Sequence, residues 1–352
     1  MMQSDDRPLV VRCGAMGDMV IVLALTAALH RRFGQPVDVI SSGSWTRPLL
    51  EGQPSIGRVL VVGSRRTPYP FSPVQREIVQ QLRASGPRPT WICDKGPFAP
   101  RLLRRAGIDA KWTVLMRREC AIREGEQDVD RLLRFAAMTP RAMTNAPAAA
   151  PSAWQDLRVP PLTVLAPWRE DLQAWLRQSN LDGRPLYLVQ AGNKRTMRWW
   201  APRSRASNTK YWPEERWARI VGTMLHDDPD ARVILLGVPA EMPLNEDIAR
   251  LVASDRVVNA ANALPMSRLL ALQERATGMI SVDTGPAHSA AALDCPLVVL
   301  FSDANVTRYT PRSPSGRVRV LVKPAGAAGM LGIEVAEVVD AWHGLMRTRA
   351  PA

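Results

Sequence analysis

The chain is poor in cysteine: four in 352 residues, Cys13, Cys93, Cys120 and Cys295. None forms the CxxC pair that zinc sites or dithiol redox centres use, and all four are expected to be reduced core residues. A long hydrophobic run is also missing. The longest near the N-terminus, Val20 to Leu29, is about half the roughly 20 residues that cross a bilayer, so any membrane contact is expected to be peripheral. The opening MMQSDDRPLVVRCGAMGD carries acids where a signal peptide carries basic charge, which predicts a cytoplasmic protein. Acids are in deficit: 33 Asp and Glu against 46 Lys and Arg give a net charge of +13 and a surface that attracts anions. The basic residues lie in small groups such as Arg101, Arg104, Arg105 and Arg117, Arg118. A sustained basic run or aromatic-basic stripe is lacking, so nucleic acid is not expected as a partner.

What is present is a globular composition, 46% apolar and 22% charged, in a chain long enough for two domains of roughly 150 to 200 residues each. Short runs rich in Val, Ile and Leu alternate with longer amphipathic stretches, the pattern of parallel sheets with crossover helices. In the first half, strands are predicted at Leu9 to Arg12, Val37 to Ser41, Val59 to Val62 and Trp91 to Asp94, with helices at Val20 to Arg32 and Val74 to Ala84. The second half repeats the scheme, with strands at Leu186 to Gln190, Val233 to Gly237, Met279 to Asp283 and Leu297 to Phe301. Helices there are predicted at Glu214 to His226, Ser267 to Arg275 and Pro286 to Leu293. The Pro- and Ala-rich segment Met138 to Trp168 supports neither period and reads as the connection between an N-terminal domain, 1–165, and a C-terminal domain, 166–352. A second irregular stretch, Asn193 to Asn208, rich in Arg, Lys and Trp, falls where loops of an open α/β sheet face the ligand.

Three segments carry chemistry. The first is the turn Cys13, Gly14, Ala15, Met16, Gly17, Asp18, which runs from a strand straight into a helix. Its glycines let the backbone approach a ligand, and the helix aims unpaired amides at it. Asp18 is either a general base or simply a first-turn acid favoured by the helix dipole. The spacing is not GxGxxG, so a dinucleotide site of the dehydrogenase kind is unsupported.

The second segment is Ser281, Val282, Asp283, Thr284, Gly285, Pro286, Ala287, His288. A strand ends at Asp283, Gly285 permits the close turn, and Pro286 suits the first helical position. The amides of Thr284 to Ala287 are expected to form an anion cradle suited to a diphosphate, with His288 one turn in as a donor, a cation or a structural residue. The third is Thr209, Lys210, Tyr211, Trp212, Pro213, Glu214, Glu215, Arg216, Trp217. Pro213 and the acids mark a helix start, and Lys210 just before it is either a phosphate-binding cation or a solvated lysine. Trp212 and Trp217 are expected to pack the helix.

Taken in order, these segments resemble glycosyltransferase family 9, the ADP-heptose:lipopolysaccharide heptosyltransferases. LVVRCGAMGDMVIVLALTAALHRRF is similar to the family's strand, small-residue loop, Gly-Asp and helix; KYWPEERWARIVGTML to its Lys-x-Trp-Pro helix entry; VILLGVPAE to its Gly-x-Pro-x-Glu turn. SVDTGPAHSAAALDCPLVVLF matches its Asp-Thr-Gly-Pro-x-His signature. The resemblance implies an α/β GT-B fold, two Rossmann-like domains facing each other across a cleft, with the final helix a candidate to pack back on the N-terminal domain. It implies acceptor binding by the N-terminal half and ADP-sugar binding by the C-terminal half. Asp18 is then the general base. Gly17, Lys210, Asp283, Thr284, Gly285, Pro286, Ala287 and His288 lie about the donor, and Glu241 contacts the nucleoside ribose. Arg101, Arg104, Arg105, Arg117 and Arg118 are the candidates for holding an anionic, lipid-linked or other glycan acceptor, or the inner face of the membrane. The scheme needs neither metal nor cofactor, since the ADP-sugar is a substrate, and leaving-group charge falls to amides and lysine. The chain differs from many members in having Gly14 and Ala15 where they carry Ser or Thr, and in the added MRWWAPRSRASN.

The nearest rival is a transferase of the same architecture that uses another nucleotide sugar, or a protein or different glycan acceptor. A nicotinamide-dependent oxidoreductase would need the full glycine fingerprint and a ribose-binding acid about 20 residues on. A nucleotide-binding protein without transferase activity is the third reading. Titration with ADP, NAD and a DNA duplex separates these classes.

Overall fold

The computed structural model describes residues 7–193, 208–302, 306–323 and 329–347. The chain divides into two compact units, Met1–Leu162 and Thr163–Ala352.

The N-terminal unit runs β1 (Leu9–Val11), α1 (Met16–Phe33), β2 (Val37–Ser42), α2 (Thr46–Leu50), β3 (Ile56–Val62), α3 (Pro73–Ser85), β4 (Thr90–Ile92), α4 (Phe98–Arg105), β5 (Thr113–Leu115), α5 (Met116–Glu119) and α6 (Asp128–Ala136). Its strands are all parallel, in the order β3-β2-β1-β4-β5. The three residues of β1 are wholly buried, as expected of a central strand covered on both faces. The chain builds outward from β1 through β2 to β3, then restarts at β4 on the other side. The C-terminal ends of β1 and β4 therefore diverge at a switch point, where open α/β sheets bind ligands.

The segment expected as a loose connection is packed. Pro151–Arg158 forms a 3-10 turn with Trp154 and Leu157 buried. Arg31 of α1 donates to Asp156 at 2.7 Å, and Arg32 donates to the carbonyls of Ala136, Met138 and Pro147, each at 2.9 Å. The proline and alanine that hide any period still leave carbonyls for these arginines to collect.

The C-terminal unit runs α7 (Ala166–Gln178), β6 (Leu186–Gln190), α8 (Glu214–Asp227), β7 (Arg232–Leu235), α9 (Met242–Val252), β8 (Val257–Asn259), α10 (Met266–Arg275), β9 (Gly278–Val282), α11 (Gly285–Ala292), β10 (Leu297–Phe301), α12 (Val306–Tyr309), β11 (Val318–Val322) and α13 (Val335–Arg347). Its parallel sheet has the order β11-β10-β9-β6-β7-β8. The same logic applies here, with the switch point between β6 and β9. Trp212 and Trp217 pack edge to face at 4.9 Å within its core.

The final helix contributes to the core of its own unit. Val338, Trp342 and Leu345 of α13 are buried in the C-terminal unit's own core. Trp342 meets Tyr187 edge to face at 5.1 Å, and it lies so close to β9 that a Cβ at Gly278 would come within 2.8 Å of its ring. Among the described residues, no helix is long and apolar enough to cross a membrane.

Candidate functional site

At the switch point of the N-terminal unit, β1 ends in Arg12 and Cys13 and the chain turns through Gly14 and Ala15 into α1. Asp18, the third residue of that helix, accepts from the backbone N–H of Ala15 through Oδ2 at 2.9 Å and from Arg12 Nη2 through Oδ1 at 2.5 Å. It is thus a first-turn helix acid and an ion-pair partner at once, and its carboxylate is held in one orientation. Gly14 makes this possible: a Cβ there would meet the Asp18 Cβ at 2.5 Å. Gly17 is buried beside it. Burial, the largest single influence, pushes the Arg12 guanidinium down, but the charge of Asp18, its hydrogen bond and the neighbouring Cys93 and Asp94 together outweigh it and hold Arg12 above the ordinary arginine range.

The other side of this switch point is the end of β4, where Cys93 and Asp94 stand opposite Arg12 and Cys13. Arg12 Nη1 donates to the Cys93 carbonyl at 3.4 Å, and the Cys13 N–H donates to Asp94 Oδ1 at 2.9 Å. Burial pushes both thiols, Cys13 and Cys93, up to about 12, so they remain neutral. All four cysteines are free and buried.

Past β4 lies a cavity of about 510 Å³ whose lining includes Lys95, Arg101, Arg104, Arg117, Arg118 and Asp94. Four of the five acceptor-binding candidates therefore meet in one place, brought there by α4, the β5–α5 junction and the loop after β4. Arg105 is the exception. Its guanidinium lies 4.7 Å over the Tyr69 ring and donates to the Arg101 carbonyl at 3.3 Å, so the aromatic face keeps it off the cavity wall.

At the switch point of the C-terminal unit, Lys210 Nζ donates to the Asp283 carbonyl at 2.7 Å and to its carboxylate. The lysine is placed by an asparagine pair that sequence reading did not single out. Asn193 Nδ2 donates to the Lys210 carbonyl at 3.3 Å, Asn208 Oδ1 accepts from the Lys210 N–H at 3.1 Å, and Asn208 Nδ2 donates to Asn193 Oδ1 at 3.3 Å. The enlarged basic loop predicted here lies, at 194–207, outside the described residues.

The anion cradle is smaller than expected. α11 begins at Gly285, so Pro286 is its second residue and supplies no N–H, while the Ala287 N–H donates to the Thr284 carbonyl at 3.2 Å. The cradle reduces to the amides of Thr284 and Gly285. Thr284 Oγ1 donates to the Val282 carbonyl at 3.2 Å. Gln273 Nε2 braces the turn by donating to the Pro286 carbonyl at 2.8 Å. Ala287 is buried, and His288 is half-buried on the first turn of the helix.

Glu241 belongs to the same switch point but faces inward, 4% exposed. It accepts from the Val238 N–H at 3.1 Å and lies 3.4 Å from Gln190 Nε2. Gly192 and Gly237 leave it room, since a Cβ at either would crowd its side chain. Among the described residues, no group of three His, Cys, Asp or Glu side chains is arranged to hold a metal ion.

The family model "Glycosyltransferase family 9 (heptosyltransferase)" matches residues 171–326, a span that contains Lys210, Glu241 and the Asp283–His288 turn. Lipopolysaccharide heptosyltransferase 2 of Salmonella typhimurium is 20% identical over 328 residues, 89% of this chain and 88% of that protein. Among solved structures, the E. coli ADP-heptose lps heptosyltransferase II superposes with a TM-score of 0.74 at 20% identity, covering 97% of this chain and 98% of that one. E. coli heptosyltransferase WaaC with ADP gives 0.69 at 17% identity, covering 96% and 99%. These likenesses carry the GT-B fold across nearly the whole length of the chain, and the model of glycosyltransferase family 9 matches its motif-bearing half, residues 171–326, which supports a glycosyltransferase.

Proposed function

We propose that this chain transfers a heptose from ADP-heptose to a hydroxyl of a lipopolysaccharide core or related glycan by in-line displacement, with Asp18 as general base. The observation that carries the reading is the fixed carboxylate of Asp18 at the N-terminal switch point, held by Arg12 and by the Ala15 N–H. Asp18 takes the proton of the acceptor hydroxyl as its oxygen bonds to the anomeric carbon. The bond from that carbon to the diphosphate oxygen breaks, and ADP leaves with the electron pair. In the C-terminal unit, Lys210 turns from Asp283 to the diphosphate, and the Thr284 and Gly285 amides take the developing charge. Such preorganised donors are a large part of transition-state stabilisation. The printed names of the relatives, which pair ADP and ADP-heptose with lipopolysaccharide, support this donor and acceptor class.

The cationic cavity suits an anionic group on the acceptor, and the +13 charge suits peripheral attachment to an acidic membrane. Mass-spectrometric identification of the group transferred from a panel of ADP-sugars tests the donor; transfer from another nucleotide sugar, or to a protein, would select the rival transferase reading. Asp18→Asn tests the base. Asparagine can still accept from Ala15, so fold and ADP binding should persist, while turnover drops by about 100-fold to 10,000-fold. Wild-type turnover in this variant would remove Asp18 from the mechanism.

A further inference from the structure

Between β3 and α3 the chain turns apolar residues outward. Phe71, in a 3-10 turn at Tyr69–Phe71, is 77% exposed, more than any other large apolar side chain among the described residues, and Val74 on the first turn of α3 is 40% exposed. Pro68, Pro70 and Pro73 beside them are exposed as well. Contiguous apolar surface of this kind marks an interaction site. The segment is held from several sides, so the exposure is built in. Buried Gln75 donates through Nε2 to the carbonyls of Ser64 and Thr67 at 3.1 Å each, Arg76 donates to the Pro70 carbonyl, and the Arg105 guanidinium lies over the Tyr69 ring.

Two further properties say what covers it. From Pro70 to Pro73 every backbone N–H is either absent or bonded: the prolines have none, the Phe71 N–H donates to the Pro68 carbonyl at 3.0 Å, and the Ser72 N–H donates to the Tyr69 carbonyl at 3.1 Å. Backbone with its donors already paired enters a bilayer interface at low desolvation cost. Charge is the second property. Residues 52–76 include no acid, and exposed Arg76 and Arg105 are tied to the tip itself, with exposed Arg66 between the two carbonyls that Gln75 holds. Cations around an outward aromatic match an anionic lipid surface.

We propose that the tip at residues 68–74 is a membrane anchor: Phe71 and Val74 enter the boundary between headgroups and acyl chains of an anionic bilayer, and Arg66, Arg76 and Arg105 meet lipid phosphates. This rests on the peripheral attachment proposed above and adds to it a place and an apolar component that salt does not screen.

The test is sedimentation of the full chain with vesicles of phosphatidylglycerol and phosphatidylethanolamine, with phosphatidylcholine vesicles as the neutral arm. The wild type should partition onto the anionic vesicles. Phe71→Ser should weaken that partition about tenfold or more, the size of withdrawing one buried aromatic side chain, by the same factor at low and high salt. Arg66→Ser with Arg76→Ser should weaken it at low salt and progressively less as salt rises. Phe71→Trp should retain binding, because Trp suits the interface, and Leu251→Ser, which alters an apolar side chain 46% exposed on α9, should change nothing.

Unchanged partition of Phe71→Ser would overturn the proposal and leave purely electrostatic attachment standing, whereas absence of wild-type binding to anionic vesicles would remove both. A concentration-dependent dimer that Phe71→Ser abolishes, with its vesicle binding unchanged, would assign the tip to a second copy of the chain and also overturn it. Failure of the transferase reading shows instead as absence of transfer from ADP-sugars, which leaves the partition untouched.

Discussion

A methyl group on residue 14 would sit 2.5 Å from the Asp18 Cβ and 2.6 Å from its Oδ2, closer than packed atoms tolerate. Gly14→Ala is therefore expected to displace the carboxylate from Arg12 and to cut turnover by at least about 100-fold, with ADP affinity little changed by calorimetry because every donor candidate except Gly17 belongs to the other unit. Lys210 and Asp283 form a coupled pair. Lys210→Ala should weaken ADP binding by about 10-fold to 100-fold, the range of a charge-assisted hydrogen bond, and it also leaves the Asp283 carboxylate facing the diphosphate. Adding Asp283→Asn should restore part of the lost affinity, and additive losses in the double variant would disprove the coupling. Asp18, Lys210 and the Asp283–His288 turn were legible in the sequence because each sits in a local motif. Arg12 and Asp94 were not. They reach across from β1 to β4, Arg12 to the Cys93 carbonyl and Asp94 to the Cys13 N–H, and the one signal available was an arginine closing an otherwise apolar run, LVVR.

Among the elements, β6 and β10 fall where the apolar runs predict them, at Leu186–Gln190 and Leu297–Phe301, because all five residues of each are buried. The edge strands β8 and β11 escaped notice. Val257–Asn259 is half-buried throughout and Val318–Val322 mixes half-buried with exposed positions, so neither shows a run or a clean alternation. Several helices were missed for a related reason: α4 and α6 are short, and their charged residues mask the apolar stripe. The tryptophan of α13 fills the core between β9 and Tyr187. Trp342→Ala should destabilise the C-terminal unit by about 3 to 5 kcal/mol, read as a lower denaturant midpoint, and should leave unfolding of the N-terminal unit unmoved.

At the scale of the whole chain, the two units obey one rule: each gathers its chemistry where the strand order reverses, Asp18 beside β1 and β4, Lys210 beside β6 and β9. Part of the excess positive charge gathers in the N-terminal unit, at the cavity lined by Lys95, Arg101, Arg104, Arg117 and Arg118. Sedimentation should show binding to anionic vesicles and not to neutral ones. That binding should fade between about 0.1 M and 1 M salt as the Debye length falls from about 10 Å to about 3 Å; equal binding to both vesicle types, or none, would leave the charge without a membrane role. The asparagine clasp has a consequence of another kind. Asn193 and Asn208 bond to each other and both bond to the backbone of Lys210, so the lysine's placement depends on where the chain leaves and returns rather than on what lies between. The position of Lys210 beside β6 and β9 is therefore fixed by the two asparagines that flank the intervening sequence, so a change confined to that sequence should leave the Lys210–Asp283 pair in place.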